Sequence, residues 1–193
     1  RKLFARHELP LPDTVLSYHE HNEGRAAQRI LALLDEGKTV ALCSDAGTPG
    51  LSDPGFRLVR EAVAAGYNVT ALPGPSALAT ALVLSGLPTS SYTFLGFPPR
   101  KGGKLRTFFA AEADRPHTLV FYESPHRVGK SLAAALETLG DREAAVCVEL
   151  SKKFERVARG FLAELAERFA NEKVKGEVTV VVAGNNPKFA RAP

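Results

Sequence analysis

Residues 44 to 55 read Ser-Asp-Ala-Gly-Thr-Pro-Gly-Leu-Ser-Asp-Pro-Gly, between the apolar run Thr39-Val40-Ala41-Leu42-Cys43 and an amphipathic segment from Phe56 to Ala65. Three glycines and two prolines in twelve residues keep side chains off the backbone and fix its path. Such a loop presents peptide N–H groups at the carboxyl end of a strand, the crevice in which open α/β sheets bind ligands. It offers one acid, Asp45, the hydroxyls of Ser44, Thr48 and Ser52, and free amides. Neither G-x-G-x-x-G nor G-x-x-x-x-G-K-[ST] is present, so no dinucleotide or triphosphate site is indicated. The plainer reading is a βα turn in which Asp53 caps a helix that has Pro54 at its first position.

A second set of reactive residues follows the strand-like run Thr118 to Tyr122, in Glu123-Ser124-Pro125-His126-Arg127. Ser124 and Pro125 fit a helix cap and first turn, which puts Glu123 and Arg127 at a strand's carboxyl end. Cations gather in the same half of the chain: residues 1–91 are net −1 and residues 92–193 net +5. The stretch Pro98 to Arg106 holds Arg100, Lys101, Lys104 and Arg106 around two adjacent glycines, a mobile basic loop suited to a phosphate backbone. Lys152-Lys153-Phe154-Glu155-Arg156 adds an aromatic ring to positive charge, either to grip a single strand by stacking or as a solvated turn with Phe154 tucked inward. His19 and His21 have H-x-H spacing, but no third ligand accompanies them. Surface hydrogen bonding or RNA contact is the better reading, and no metal is expected.

The elements that must position these residues alternate between strand and helix patterns. Strands are expected at 15–18, 39–44, 68–72, 92–97, 118–122, 144–150, 156–161 and 177–183. Helices are expected from Asn22 to Gly37, from Phe56 to Ala65, from Ala77 to Leu84 after Pro73-Gly74-Pro75-Ser76, and from Ala163 to Ala170, with Arg1 to Leu9 the end of another. Gly86-Leu87-Pro88-Thr89-Ser90-Ser91 interrupts all periodicity and gives the expected boundary: an α/β domain over 1–88, a second over 89–185 and a loose tail over 186–193. The 193 residues are 45% hydrophobic and 24% charged, enough for one large core or two small ones. No apolar run approaches the ~20 residues of a membrane span, and the start lacks a signal peptide's apolar stretch, so a cytoplasmic location is the default. Cys43 and Cys147 sit in apolar runs without metal-ligand spacing and read as core thiols.

Taken together, Ser17-Tyr18-His19-Glu20-His21-Asn22, the loop from Ser44 to Gly55, Pro73-Gly74-Pro75-Ser76-Ala77, Phe121-Tyr122-Glu123-Ser124-Pro125-His126-Arg127 and Gly176-Glu177 follow one another in a recognisable order. The sequence resembles the tetrapyrrole methylase superfamily of S-adenosylmethionine-dependent methyltransferases, and within it the members that act on small-subunit ribosomal RNA. The resemblance covers nearly the whole chain. It implies a two-domain class III methyltransferase architecture, with a parallel sheet in the amino-terminal domain and a mixed sheet in the carboxyl-terminal one. It further implies transfer of a methyl group to the 2′-hydroxyl of a cytidine, on free RNA or on the assembled small subunit, by a homodimer.

By the same resemblance the cofactor S-adenosylmethionine is held by Ser44, Asp45, Ala46, Gly47, Thr48, Pro75, Ser76, Ala77, Phe121, Tyr122 and Glu123. Methyl transfer from sulfonium to oxygen is an in-line displacement that needs no metal, and positioning does most of the work. Asp45 is the first candidate to complement the cofactor's positive charge. Glu123 is a candidate base for the hydroxyl, or else a structural contact to the amides of its own helix terminus. RNA contacts fall to Arg100, Lys101, Lys104, Arg106, Arg127, Lys152, Lys153 and Arg156. Proteins of this kind open with a strand and a loop of the type Ala-Thr-Pro-Ile-Gly-Asn-Leu before the point where this sequence starts, so an incomplete site is expected. Two other functions fit the same motifs: methylation of a tetrapyrrole precursor, which needs no basic second half, and a non-catalytic RNA-binding module, which needs no cofactor.

Overall fold

The computed structural model describes residues 2–191. The chain divides into two compact units, Arg1–Pro75 and Ser76–Pro193.

In the first unit three helices are formed: α1 (Lys2–Arg6), α2 (Glu23–Asp35) and α3 (Phe56–Ala64). Ala26, Ala27 and Ile30 lie on the buried stripe of α2, and Leu58 and Ala62 on that of α3. Gly37 and Gly66 close these two helices in the left-handed conformation, at φ 76° and 84°. Their amides and those of the following residues bond back to carbonyls of the last turn (Gly37 to Leu34, Lys38 to Leu33; Gly66 to Val63, Tyr67 to Ala62). Asn22 precedes α2 as expected, but its side chain does not cap the helix. Its Oδ1 accepts from the His19 amide at 2.8 Å and its Nδ2 donates to the Ser17 carbonyl at 2.9 Å. Asp53 does not cap α3 either; the helix begins one residue after Gly55, with Pro54 outside it.

The strands expected at 15–18, 39–44 and 68–72, and with them the parallel sheet of the first domain, are not formed among the described residues. Their apolar residues have the right types, but a strand exists only by pairing its N–H and C=O groups with a neighbour, and these runs have none. Val69 and Leu72 therefore stay exposed, and Cys43, expected in the core, is exposed as well. What remains is a small core of Ala27, Ile30 and Leu58, flanked by Leu16, Tyr18, Leu34 and Val40.

The second unit is a complete α/β sandwich. Its elements run α4 (Ala77–Ser85), β1 (Tyr92–Phe94), α5 (Gly102–Ala110), β2 (Thr118–Glu123), α6 (Val128–Leu139), β3 (Glu143–Val148), β4 (Arg156–Phe161), α7 (Leu162–Asn171) and β5 (Val178–Val182). The sheet order is β1-β2-β5-β3-β4. β1 and β2 are parallel, joined by the α5 crossover, and the remaining pairs are antiparallel, with Phe121 and Val146 both opposite Val180. Successive side chains point to opposite faces: Leu119, Phe121, Val146 and Val180 join α5, α6 and α7, while Val120, Ala145, Cys147 and Val181 pack with Leu78, Ala81 and Leu82 of α4. With both faces covered, β2, β3 and β5 are buried along nearly their whole length and mostly apolar, which is why their sequences do not alternate.

Two expectations change here. The basic stretch Pro98 to Arg106 is not all loop, since α5 begins at Gly102, directly after Lys101. The segment expected as a loose tail is tied to the body as far as Arg191: the Asn185 amide donates to Arg115, Arg142 bridges to Ala190, and the Arg191 amide donates to Asp141. Ala192 and Pro193 lie outside the described residues.

Candidate functional site

In the first unit the loop after Cys43 is drawn into a tight bend by Ser44, whose Oγ donates to the carbonyls of both Ala46 and Gly47 at 3.0 Å. Gly47 takes φ 76°, a left-handed conformation that suits a residue without Cβ. Thr48 Oγ1 donates to the carbonyl of Pro75 at 3.1 Å, so two of the segments singled out in the sequence, 44–48 and Pro75, touch. These bonds occupy carbonyls. The amides of Asp45, Ala46, Gly47 and Thr48 have no acceptor among the described residues, and neither does the exposed Asp45 carboxylate have an ion-pair partner. A loop of free N–H groups next to a free carboxylate suits a ligand with both a carboxylate and a cationic centre, which is what an amino-acid sulfonium cofactor carries.

The second unit brings the other segments together. Ser76 caps α4, its Oγ accepting from the Ala79 amide. Tyr122 packs edge-on to Phe94 at 4.9 Å and against Phe97 at 5.5 Å. Burial, opposed by a hydrogen bond to the Leu78 backbone, pushes the Tyr122 phenol pKa up. Phe121 is wholly buried in the core, so that residue reaches a ligand only through its backbone.

Glu123 is 3% exposed. One carboxylate oxygen accepts from the Ser124 amide at 2.7 Å, and the other accepts from the Ser131 hydroxyl and lies 3.3 Å from the Arg127 guanidinium. Of the two roles the sequence leaves open, base or structural contact, the geometry supplies the second. Ser131 is the partner that sequence reasoning missed. Its signal is a lone hydroxyl on the buried stripe Val128, Leu132, Ala135 of α6. That helix also begins later than expected, at Val128, with Arg127 rather than Ser124 before its first turn.

Arg127 was expected to face RNA. Its guanidinium instead donates to the carbonyls of Pro98 and Pro99 at 3.0 and 2.9 Å while holding Glu123. Arg106 pairs with Glu137 at 2.7 Å, Lys152 with Glu149 and Glu177 at 2.9 and 3.1 Å, and Arg156 with Glu172. Arg100, Lys101, Lys104 and Lys153 are exposed and have no ion-pair partner among the described residues. Phe154 is 71% exposed beside the Lys153 ammonium, rather than tucked inward. Between the loops that follow β1 and β2 lies a crevice of about 490 Å³, lined by Phe97, Pro98, Arg100, Ser124, His126 and Arg127. His19 and His21 stack edge-on at 6.0 Å, and no group of three or more metal-ligating side chains occurs among the described residues. Among the same residues no helix is long and apolar enough to cross a membrane.

Comparison with known proteins places this architecture. Residues 5–166 match the family profile of the Tetrapyrrole (Corrin/Porphyrin) Methylases. A ribosomal RNA small subunit methyltransferase I from Mycobacterium tuberculosis is 47% identical over 188 residues, covering 97% of this chain and 66% of the relative. Proteins of the same name from Xylella fastidiosa and Bacillus subtilis are 46% and 40% identical, and the matches cover 95% and 96% of this chain but 68% and 63% of theirs. The chain thus spans about two thirds of the length of these relatives. Among solved structures, the methyltransferase CobJ superposes with a TM-score of 0.62 at 18% identity, over 92% of this chain and 74% of that one. Uroporphyrin-III-C-methyltransferase from Thermus thermophilus does so with a TM-score of 0.56 at 21% identity, over 81% and 70%. With the motif order, the fold and the extent of the match in agreement, the chain belongs to the tetrapyrrole (corrin/porphyrin) methylase family.

Proposed function

We propose that this chain is the catalytic part of an S-adenosylmethionine-dependent methyltransferase that modifies small-subunit ribosomal RNA, at the 2′-hydroxyl of a cytidine. The observation that carries the reading is identity of 40% to 47% over nearly the whole chain to relatives named for that RNA. The cofactor supplies an activated methyl group. Ser44 to Thr48 and Pro75 to Ala77 bind it, the free amides of the loop meeting its carboxylate and Asp45 its cationic centre; the backbone at Phe121 to Glu123 completes the set. Glu123 contributes by holding the end of β2 rather than by taking a proton. The displaced hydroxyl proton passes to solvent or to a group on the RNA, because a sulfonium leaving group makes strong base catalysis unnecessary. Arg100, Lys101, Lys104 and Lys153 supply the phosphate contacts; Arg106, Lys152 and Arg156 join them only by giving up their carboxylate partners. The family resemblance supports a homodimer working in the cytoplasm, on free RNA or on the assembled subunit.

The test is incubation with methyl-labelled S-adenosylmethionine and either small-subunit RNA, assembled small subunits or a tetrapyrrole precursor. A 2′-O-methyl group blocks alkaline cleavage at its own nucleotide, so the label is expected in an alkali-resistant cytidine dinucleotide. Label in the tetrapyrrole, or in RNA bases, overturns the reading.

A further inference from the structure

β1 and β2 are parallel neighbours, and the loops leaving their carboxyl ends, 95–101 and 124–127, frame the crevice of about 490 Å³. This is the position at which α/β sheets bind ligands, and its size falls in the range of small-molecule clefts. Phe97 is 58% exposed, with its ring resting on Tyr122 at 5.5 Å, so a large aromatic surface is held in place and left open. Exposed His126 and Arg100 stand on the lining, the latter with no ion-pair partner among the described residues. The remaining cation of the crevice is consumed: Arg127 is neutralised by buried Glu123 and bonded to Pro98 and Pro99. That strut fixes the Phe97 to Arg100 loop without contributing net charge. From Arg100 the free cations continue in series through Lys101 to Lys104 in the first turn of α5.

We propose that this crevice is a nucleotide subsite for single-stranded RNA: a base stacks on Phe97, its phosphate meets Arg100, and the strand continues along Lys101 and Lys104. The proposal rests on the RNA reading above and names the residues that carry it. A run of cations extending beyond the crevice matches a polyanion rather than a free nucleotide, and an aromatic platform beside it is the means by which single strands are held. Arg127 is a positioning residue here, acting on the RNA through the loop it anchors.

The test is fluorescence anisotropy with a labelled oligocytidine of about ten nucleotides, within the length that one single-strand site covers, at low and at physiological salt. Thermal midpoints serve as the check on folding. Phe97→Ala and Phe97→Leu are expected to bind roughly tenfold more weakly, the effect of losing one base stack, with the salt dependence unchanged. Phe97→Tyr keeps the wild-type affinity. Arg100→Ala weakens binding and makes the salt dependence shallower by about one phosphate contact. Wild-type affinity in Phe97→Leu, with Lys101→Ala and Lys104→Ala weakened, overturns the subsite and leaves the RNA reading standing. A Phe97→Leu protein that keeps RNA but loses S-adenosylmethionine in calorimetry assigns the crevice to the cofactor and also overturns the proposal. No binding of RNA by the wild-type chain overturns the RNA reading itself.

Discussion

Glu123 shows how much a single side chain decides. A buried carboxylate at a strand's end invites a catalytic reading, yet its oxygens are occupied by an amide, a hydroxyl and a guanidinium. Removing this carboxylate strips the fully buried Ser131 hydroxyl of its acceptor, and an unsatisfied buried polar group costs about 1–3 kcal/mol. Glu123→Ala is accordingly expected to lower the thermal midpoint strongly, whereas the exposed Asp45→Ala leaves it unchanged and acts on cofactor affinity alone. A thermal melt of each variant separates the two. The cysteines give a second check. Burial pushes the Cys147 thiol up to about 11, and it is enclosed between the sheet and α4, while Cys43 is exposed. At pH 8 iodoacetamide is expected to modify Cys43 in the native chain and Cys147 only after unfolding, as peptide mass mapping would read. The sequence reads both thiols as core residues, which holds for Cys147 and fails for Cys43, because whether an apolar run finds a neighbour to cover it is not written in the run itself.

That difference belongs to the elements. In the second unit the runs at 118–122, 144–150, 156–161 and 177–183 are strands to within a residue or two, because the first, second and fourth are buried on both faces by helices of the same unit and the run at 156–161 pairs with β3 along its whole length. Runs of equal quality at 39–44 and 68–72 have no ladder, which no local pattern could reveal. Close packing between elements is likewise invisible in sequence. Gly129 lies in α6 where an added Cβ would stand 2.5 Å from the carbonyl oxygen of Phe169 in α7. An Ala in a helix interior gains about 1 kcal/mol over Gly, but overpacking against backbone costs about 1–3 kcal/mol. Gly129→Ala is expected to melt a few degrees lower rather than higher.

The turn that follows β3 is held in a similar way, with Glu149 and Ser151 in left-handed conformations at φ 53° and 62°. The Lys152 ammonium and the Glu177 amide hold the Glu149 carboxyl below the usual carboxylate range. A lowered folded pKa means that its contribution is present above the unfolded value and disappears as pH falls through the folded one. The protection factor of the Glu177 amide, its exchange rate relative to the intrinsic rate at each pH, should therefore fall on acidification below the ordinary carboxylate range and hold between neutral pH and that range.

At the scale of the whole molecule, the motifs identified the family from their order along the chain, and the uneven charge pointed to an anionic partner. Which cations are free was not legible, because the carboxylates that neutralise Arg106, Arg127, Lys152 and Arg156 come from distant parts of the sequence, apart from those of Glu123 and Glu149. With those paired, RNA binding should lose affinity with added salt at a slope set by the few free cations, about −0.7 per phosphate contact on a single strand.

The central claim is that this chain carries the cofactor-binding residues of a methyltransferase. Calorimetric titration of S-adenosylmethionine into the 193-residue chain tests it most directly. The protein is expected to bind a single cofactor per chain, with Asp45→Ala weakening it. Absence of binding heat from a chain that circular dichroism shows to be folded would contradict the account.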